Sequence, residues 1–316
     1  MEALRRANEA SLQERADALN ILAICLLRLS DNLAAIERLN EAKELYERLG
    51  ARERVATVLN NLGNAHYALA NYAQAALCYE QSLHLREELG DKRGIASCHN
   101  NLGNVHQATA DYARALQAHQ ESLRLREELG LKAGIADSLN NIGNVYQALS
   151  DYPEALAHYH RSLKIVEEQG DDFRKFNALN NIGRAYHNSG HHNEALSAFK
   201  ACFALLNERE DKWNLALLHN NVSDVYLAKG DFDEAKAHSE EALRLAREVG
   251  DKKLVAEAYA NLGVALTHLG DFERAENHLR QSIALLELIE ARHSACFAYL
   301  QLGKLYATKT KAERYD

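Results

Sequence analysis

The fold class predicted by this sequence is an all-α array of repeated antiparallel helix pairs, and three observations predict it. The 32 residues from Leu59 to Gly90 return in closely similar form 40 residues later, and again after another 40. Laid out at that period, Gly63, Gly103, Gly143, Gly183, Gly263 and Gly303 share a column in which Ser223 is the substitute, and Ala35, Ala75, Ala115, Ala155, Ala195, Ala235 and Ala275 share another. Apolar residues recur at spacings of three and four, alternating Val/Ile/Thr runs are missing, and the chain has a single Pro in 316 residues. Such self-similarity marks stacked supersecondary units, and such spacing marks helices.

Within the second repeat, Val55, Val58, Leu59, Leu62, Ala65, His66 and Leu69 form one broad stripe, which predicts a first helix (A) over about 52–70. A second helix (B) follows over about 72–89, with Ala75, Ala76, Tyr79, Leu83 and Leu85 inward. Between A and B, Asn71, Asp111, Asp151, Asp231 and Asp271 supply side-chain acceptors for capping the B helices, and Asp151 with Glu154 and Asp231 with Glu234 have capping-box spacing. Pro153 falls in the first turn of a B helix, where its missing N–H costs nothing. Gly50, Gly90, Gly130, Gly170 and Gly250 suit left-handed C-caps, with Glu210 and Glu290 as exceptions. The pattern gives seven A/B pairs, at about 11–50, 51–90, 91–130, 131–170, 171–210, 211–250 and 251–290, in a single array with a final A helix over 291–308. Residues 1–10 read as the end of a preceding helix or an N-terminal cap, and 309–316 as a C-terminal tail, so the chain is expected to come from a longer array or multidomain protein.

Composition narrows the function. Lys plus Arg is 37 against 45 for Asp plus Glu, a net charge of -8, which leaves no basic excess for nucleic-acid phosphates. Cys25, Cys78, Cys98, Cys202 and Cys296 include no close pair, which argues against a disulfide framework or a zinc cluster and fits a reducing cytoplasm. The longest strongly apolar run, Ile21 to Leu27, is far short of the roughly 20 residues of a membrane span, and the N-terminus has no signal-peptide core. Nucleophile elbows, phosphate-binding glycine loops, HExxH and paired-Cys motifs are absent from the sequence. An enzyme is not expected, and neither metal nor cofactor is called for.

The stretch LNNLGNAHYALANYAQAALCYEQSL, residues 59–83, resembles the tetratricopeptide repeat: small residues where the two helices touch and a Tyr or Phe where the next hairpin packs. The 40-residue period matches the long-helix variant found in kinesin light chains, spindle-orientation adaptors and many bacterial signalling proteins. The resemblance covers roughly residues 11–308 and implies a right-handed superhelical solenoid whose A helices line the inner side. By that family pattern the inward positions are the first Asn of the motif, the residue four later and one a turn beyond. These are Asn60, Asn64 and Tyr67; Asn100, Asn104 and Gln107; Asn140, Asn144 and Gln147; Asn180, Arg184 and His187; Asn220, Asp224 and Leu227; and Ala260, Val264 and Thr267.

Side-chain amides both donate and accept, so an amide column can pair with the main chain of an extended peptide, as the asparagine ladders of related adaptors do. Arg184, His187 and Asp224 would read ligand side chains, and Leu217, Leu227, Val264 and Phe297 would add an apolar patch. The second Asn of each motif (Asn61, Asn101, Asn141, Asn181, Asn221, Asn261) lies about 100° round the helix and is expected to bond a buried backbone group of the preceding repeat. Chaperone-binding members grip a terminal carboxylate with Lys and Arg, but only Arg184 and Lys304 are cationic here, which favours an internal segment. The His187, His191, His192 cluster, with His99 and His219, reads as packing, Trp213 as packing over the Glu210 junction, and Asn221-Val222-Ser223 as a mid-helix sequon of no consequence. The expected function is a protein-interaction scaffold binding an extended peptide or protein segment. A sensor module attached to an effector domain and a self-associating array are the alternatives.

Overall fold

The computed structural model describes residues 2–207 and 209–312, and not the side chains of 2–9, His293 and Lys311–Ala312. Among the described residues there are 15 α-helices and no strand. The chain divides into two compact units, Met1–Gln169 and Gly170–Asp316.

The first unit holds α1 (Glu2–Arg28), α2 (Asn32–Arg48), α3 (Arg52–Ala68), α4 (Tyr72–Leu89), α5 (Lys92–Ala108), α6 (Tyr112–Glu128), α7 (Lys132–Ala148) and α8 (Tyr152–Gln169). The second holds α9 (Asp172–Asn188), α10 (His192–Phe203), α11 (Lys212–Lys229), α12 (Phe232–Val249), α13 (Lys252–His268), α14 (Phe272–Leu288) and α15 (Arg292–Ala312). Odd-numbered helices are the A helices. The stretch expected as a separate end, residues 2–10, is continuous with the first A helix, and the last A helix runs on to Ala312. Met1 and residues 313–316 lie outside the described residues.

A glycine notch locks five of the hairpins, at Gly63, Gly103, Gly143, Gly183 and Gly263, and Ser223 takes its place in the α11–α12 pair. A Cβ on Gly63, Gly143 or Gly183 would come within 2.4–2.5 Å of the rings of Tyr79, Tyr159 and Phe199, and on Gly263 within 2.6 Å of Leu279. At these glycines the A helix backbone touches a B helix side chain, a ring at Gly63, Gly143 and Gly183, with no room for a Cβ. The alanine column beneath it, Ala35 to Ala275, is wholly buried. Buried Ser82, Ser162 and Ser282 donate to the carbonyls of Ala56, Ala136 and Ala256 at 2.7, 3.0 and 2.7 Å, tying each B helix to its A partner. Burying a side chain the size of Tyr159 or Phe199 is worth roughly 1.5–3 kcal/mol, and each pair repeats that gain.

The caps follow the sequence only in part. Asp111, Asp151 and Asp271 accept from the N–H three residues on, at 3.2, 3.4 and 3.3 Å. Asn71 and Asp231 make no such bond, and Asp231 instead pairs with Lys229 at 3.5 Å. Three aspartates at the other junction, Asp91, Asp171 and Asp251, cap A helices. The glycine column adopts φ of 64–74° as expected, and so, without glycine, does Glu290 at 56°. The junction before Trp213 breaks the period: α10 stops at Phe203, because Asn207 accepts from Arg209 N at 3.0 Å while its own N–H bonds Asp211 Oδ2 at 2.8 Å. This local side-chain bonding competes with helix.

Candidate functional site

Along any A helix, residues spaced four and seven apart share a face, so positions 60, 64 and 67 and their equivalents form one surface per unit. Its first column is not open. In the first unit Asn61, Asn101 and Asn141 donate through Nδ2 to Oδ1 of Asn20, Asn60 and Asn100 at 3.3, 2.9 and 3.0 Å. In the second, Asn221 and Asn261 donate to Oδ1 of Asn180 and Asn220 at 2.9 and 3.3 Å. Each bond joins residues 41 apart, so the second Asn of one repeat reads the first Asn of the repeat before it.

This ladder corrects two expectations. The partner of the second Asn is an amide side chain at Asn61, Asn101, Asn141, Asn221 and Asn261, and Asn261 also reaches a backbone carbonyl, at 3.5 Å from Asn220 O. The first-Asn column is largely withdrawn from solvent: Asn140, Asn180 and Asn220 are 8%, 8% and 4% exposed, and Asn60 and Asn100 are half-buried. Asn140 also donates to Ser162 Oγ at 2.9 Å, and Asn220 to Glu257 Oε2 at 3.4 Å. Helical phase placed these residues on the right face, but the close approach of neighbouring A helices turns their amides sideways.

The second column is open. Asn64 is exposed and Asn104, Gln107, Asn144 and Gln147 are half-buried. Tyr79 donates its hydroxyl to Asn64 Oδ1 at 2.8 Å, and Tyr159 donates to Asn144 Oδ1 at 2.8 Å and Gln147 Oε1 at 3.0 Å. With their oxygens held by the buried phenols, these amides keep Nδ2 and Nε2 donors for anything on the surface. Burial drives the Tyr79 phenol well above its ordinary pKa, so it remains a donor. His119 occupies the equivalent place below Asn104, fully buried against Gly103 with neither ring nitrogen bonded, and burial lowers its pKa to about 4.

In the second unit the surface becomes charged. Arg184 is exposed, His187 is half-buried with its basicity lowered first by burial and then by His192, and Asp224 and Glu257 face the same side. Burial, reinforced by Glu257, raises Asp224 to about 7. Burial raises Glu257 as well, opposed by Lys253. Glu257 escaped the sequence reading because it lies three positions before the motif's first Asn, where the other repeats carry Thr57, Ser97, Asp137, Asn177 and Leu217. The apolar patch does not assemble as expected: Leu217 packs against the core, Leu227 and Val264 are half-buried, and Phe297 stands 49% exposed on α15. Trp213 is 44% exposed, with its indole N–H donated to Asp251 Oδ2 at 2.8 Å, rather than packed over the junction.

Several histidines pair with rings, among them His219 and His238, whose Nδ1 atoms are 2.9 Å apart. Among the described residues no group of three or more His, Cys, Asp or Glu could hold a metal ion, and no helix is long and apolar enough to cross a membrane.

Helix pairs joined by glycine notches, with A helices linked by amides and a donor-bearing face left open, define a helical-repeat interaction protein. More particularly, the chain belongs to the tetratricopeptide repeat family, whose model matches residues 14–88, 78–128, 134–208 and 214–287. No curated protein sequence matches it. Among solved structures it is similar to the apo form of RapI, with a TM-score of 0.69 and 17% identity over 87% of this chain and 99% of that one. It is also similar to the Rap conjugation gene regulator of the plasmid pLS20 in complex with the Phr* peptide, with a TM-score of 0.59 and 14% identity over 96% and 97%. A third likeness is to a STAND signal-transduction ATPase with a tetratricopeptide repeat sensor from Pyrococcus horikoshii, with a TM-score of 0.64 and 15% identity over 87% of this chain and 43% of that one.

Proposed function

We propose that the protein is a non-enzymatic, cytoplasmic interaction scaffold that binds an extended peptide or protein segment along the A-helix faces. The contacts are made by Asn64, Asn104, Gln107, Asn144 and Gln147 in the first unit and by Arg184, His187 and Asp224 in the second. The observation that carries this reading is the anchoring of Asn64 and Asn144 by Tyr79 and Tyr159, which fixes amide donors toward the open face in advance of binding. Pre-set donors lose little entropy when a main-chain carbonyl arrives. Each bond is worth only about 0.5–1.5 kcal/mol, so several in register are needed. The pLS20 regulator, whose structure holds a peptide, supports the same use of the fold. The ATPase's repeat sensor favours a second reading, in which the array reports occupancy to an attached effector.

The test is a peptide selected from a random linear library against the intact protein. Asn104→Ala with Asn144→Ala should weaken its binding at least tenfold while shifting the melting temperature little. Asn101→Ala with Asn141→Ala should instead destabilise, by about 1–3 kcal/mol per lost ladder bond, and leave affinity nearly intact. The reverse pattern would assign ligand contact to the ladder and overturn the proposal.

A further inference from the structure

Arg86, Asp91 and Gly94 return one period later as Arg126, Leu131 and Gly134, so a carboxylate is exchanged for an aliphatic group while the residues around it are kept. In the earlier copy that carboxylate is fully engaged. Asp91 Oδ1 accepts from Gly94 N at 2.9 Å, capping α5, and Oδ2 pairs with the Arg86 guanidinium. In the later copy Leu131 is the N-cap residue of α7 and offers it no side-chain acceptor. The first-turn N–H groups of Ala133 and Gly134 have no protein acceptor among the described residues.

Arg126 is fixed beside these N–H groups. Its Nη1 donates to Gly134 O at 2.8 Å and to Ser138 Oγ at 2.9 Å, and a Cβ on Gly134 would lie 2.9 Å from Arg126 Cδ. The arginine side chain therefore lies directly on the first turn of α7, which the glycine makes room for. Arg126, Gly134, Arg93 and Ser97 line one open cleft of about 640 Å³, and no acidic side chain is among its lining residues. Arg93 is exposed and makes no ion pair among the described residues. Lys132, which also lines the cleft, is paired with Glu168 at 3.8 Å, so the charge offered to a ligand comes from the two arginines.

We propose that this cleft is a carboxylate-binding site, taking an acidic side chain or a chain terminus of a partner protein. The bound carboxylate accepts from the Gly134 N–H, as Asp91 does from Gly94, and its charge is matched by Arg126 and Arg93. Hydrogen bonds between guanidinium and carboxylate are stronger than those between neutral groups, and the positive end of α7 adds to them. That these donors suit a carboxylate is seen in the neighbouring copy, where the equivalent arginine and glycine hold one supplied by the chain itself. The site is separate from the open amides, since Arg93 lies roughly 16 Å along α5 from Asn104.

The experiment follows the backbone amides of the intact, isotope-labelled protein by NMR as single-residue probes are added. N-acetyl-aspartate N-methylamide carries a side-chain carboxylate only, and N-acetylalanine a terminal carboxylate only. N-acetyl-asparagine N-methylamide is the neutral control, and inorganic phosphate the other anion. The Ala133 and Gly134 amides should shift saturably with one or both carboxylates, about tenfold tighter than with the asparagine probe. Whichever carboxylate binds tighter names the source. Raised salt should weaken the binding. Arg93→Gln, at an exposed position, should weaken it severalfold with the melting temperature unchanged. Leu131→Asp supplies the carboxylate from within the chain, as the earlier copy does. It should raise the melting temperature, move the Gly134 amide resonance toward that of Gly94 and abolish binding of both carboxylate probes. No saturable shift with either carboxylate, a response to phosphate alone, or carboxylate binding that survives Leu131→Asp overturns the proposal. Each probe is a single residue, so none of these results touches the peptide-binding reading, whose test is the library-selected peptide.

Discussion

The Tyr159 hydroxyl lies 2.8 Å from Asn144 Oδ1 and 3.0 Å from Gln147 Oε1, so one buried phenol of a B helix orients two amides on the open face of its A helix. Tyr159→Phe keeps the ring in the Gly143 notch and removes that control. Stability should drop by about 1 kcal/mol, the net worth of a hydrogen bond, as read by urea denaturation. Affinity for a selected peptide should fall further than that loss explains, since both amides become free to rotate.

His119 fills the same notch without the hydroxyl. His119→Tyr should bring a phenol to Asn104, as Tyr79 does to Asn64, and raise stability by about 1 kcal/mol. The pH response follows from the sign of the shift. The folded state holds His119 neutral down to about pH 4, through burial and then Arg126 and His106. The unfolded chain takes up the proton near its ordinary value of about 6.5. Stability is therefore fully present above about pH 6.5 and is lost as pH falls toward 4, by on the order of 2–3 kcal/mol. His219, also lowered to about 4, adds to the same slope. Urea midpoints between pH 7.5 and 4.5 should show a flatter decline for the Tyr variant.

The glycine column can be tested against itself. Gly183→Ala would place a methyl 2.5 Å from Phe199 Cε1 and should cost about 1–3 kcal/mol through overpacking. Gly303, at the matching position on α15, has nothing within 4 Å, and Gly303→Ala should stabilise by roughly 0.5–1 kcal/mol through helix propensity. Opposite signs in thermal denaturation are the expected result.

Asp224 supplies the remaining prediction. Its folded pKa is raised, to about 7, so the native state holds a proton that the unfolded chain has released above about pH 4. That contribution is present in acid and lost as pH rises through 7. Asp224→Asn should match the wild type near pH 4–5 and exceed it by about 1–2 kcal/mol at pH 8, a figure discounted for the exposed part of the side chain.

The helix pairs were legible because their determinants are local. Apolar spacing and the left-handed Gly90 place α4 at Tyr72–Leu89 without reference to any other repeat. The site was only half legible. A helical wheel fixes which face Asn100 occupies, but its burial depends on Asn141 arriving from the next A helix. A signal for this was present in the sequence, since Asn pairs with a partner 41 residues away in successive repeats, one more than the period. The early end of α10 was carried by Asn207 and Asp211, whose side chains compete for the backbone only once both are in place. Glu257 needed the contact with Asn220 to be recognised at all.

The amide ladder has a bearing on how such a chain grows. Every rung couples a donor in one copy to an acceptor in the copy before it, and neither end carries charge. A tandem duplication in steps of the period therefore arrives with both halves of its junction already made, one facing each neighbour. Lengthening therefore needs no compensating change at the rungs, and the close similarity of adjacent copies around Leu59–Gly90 fits that route.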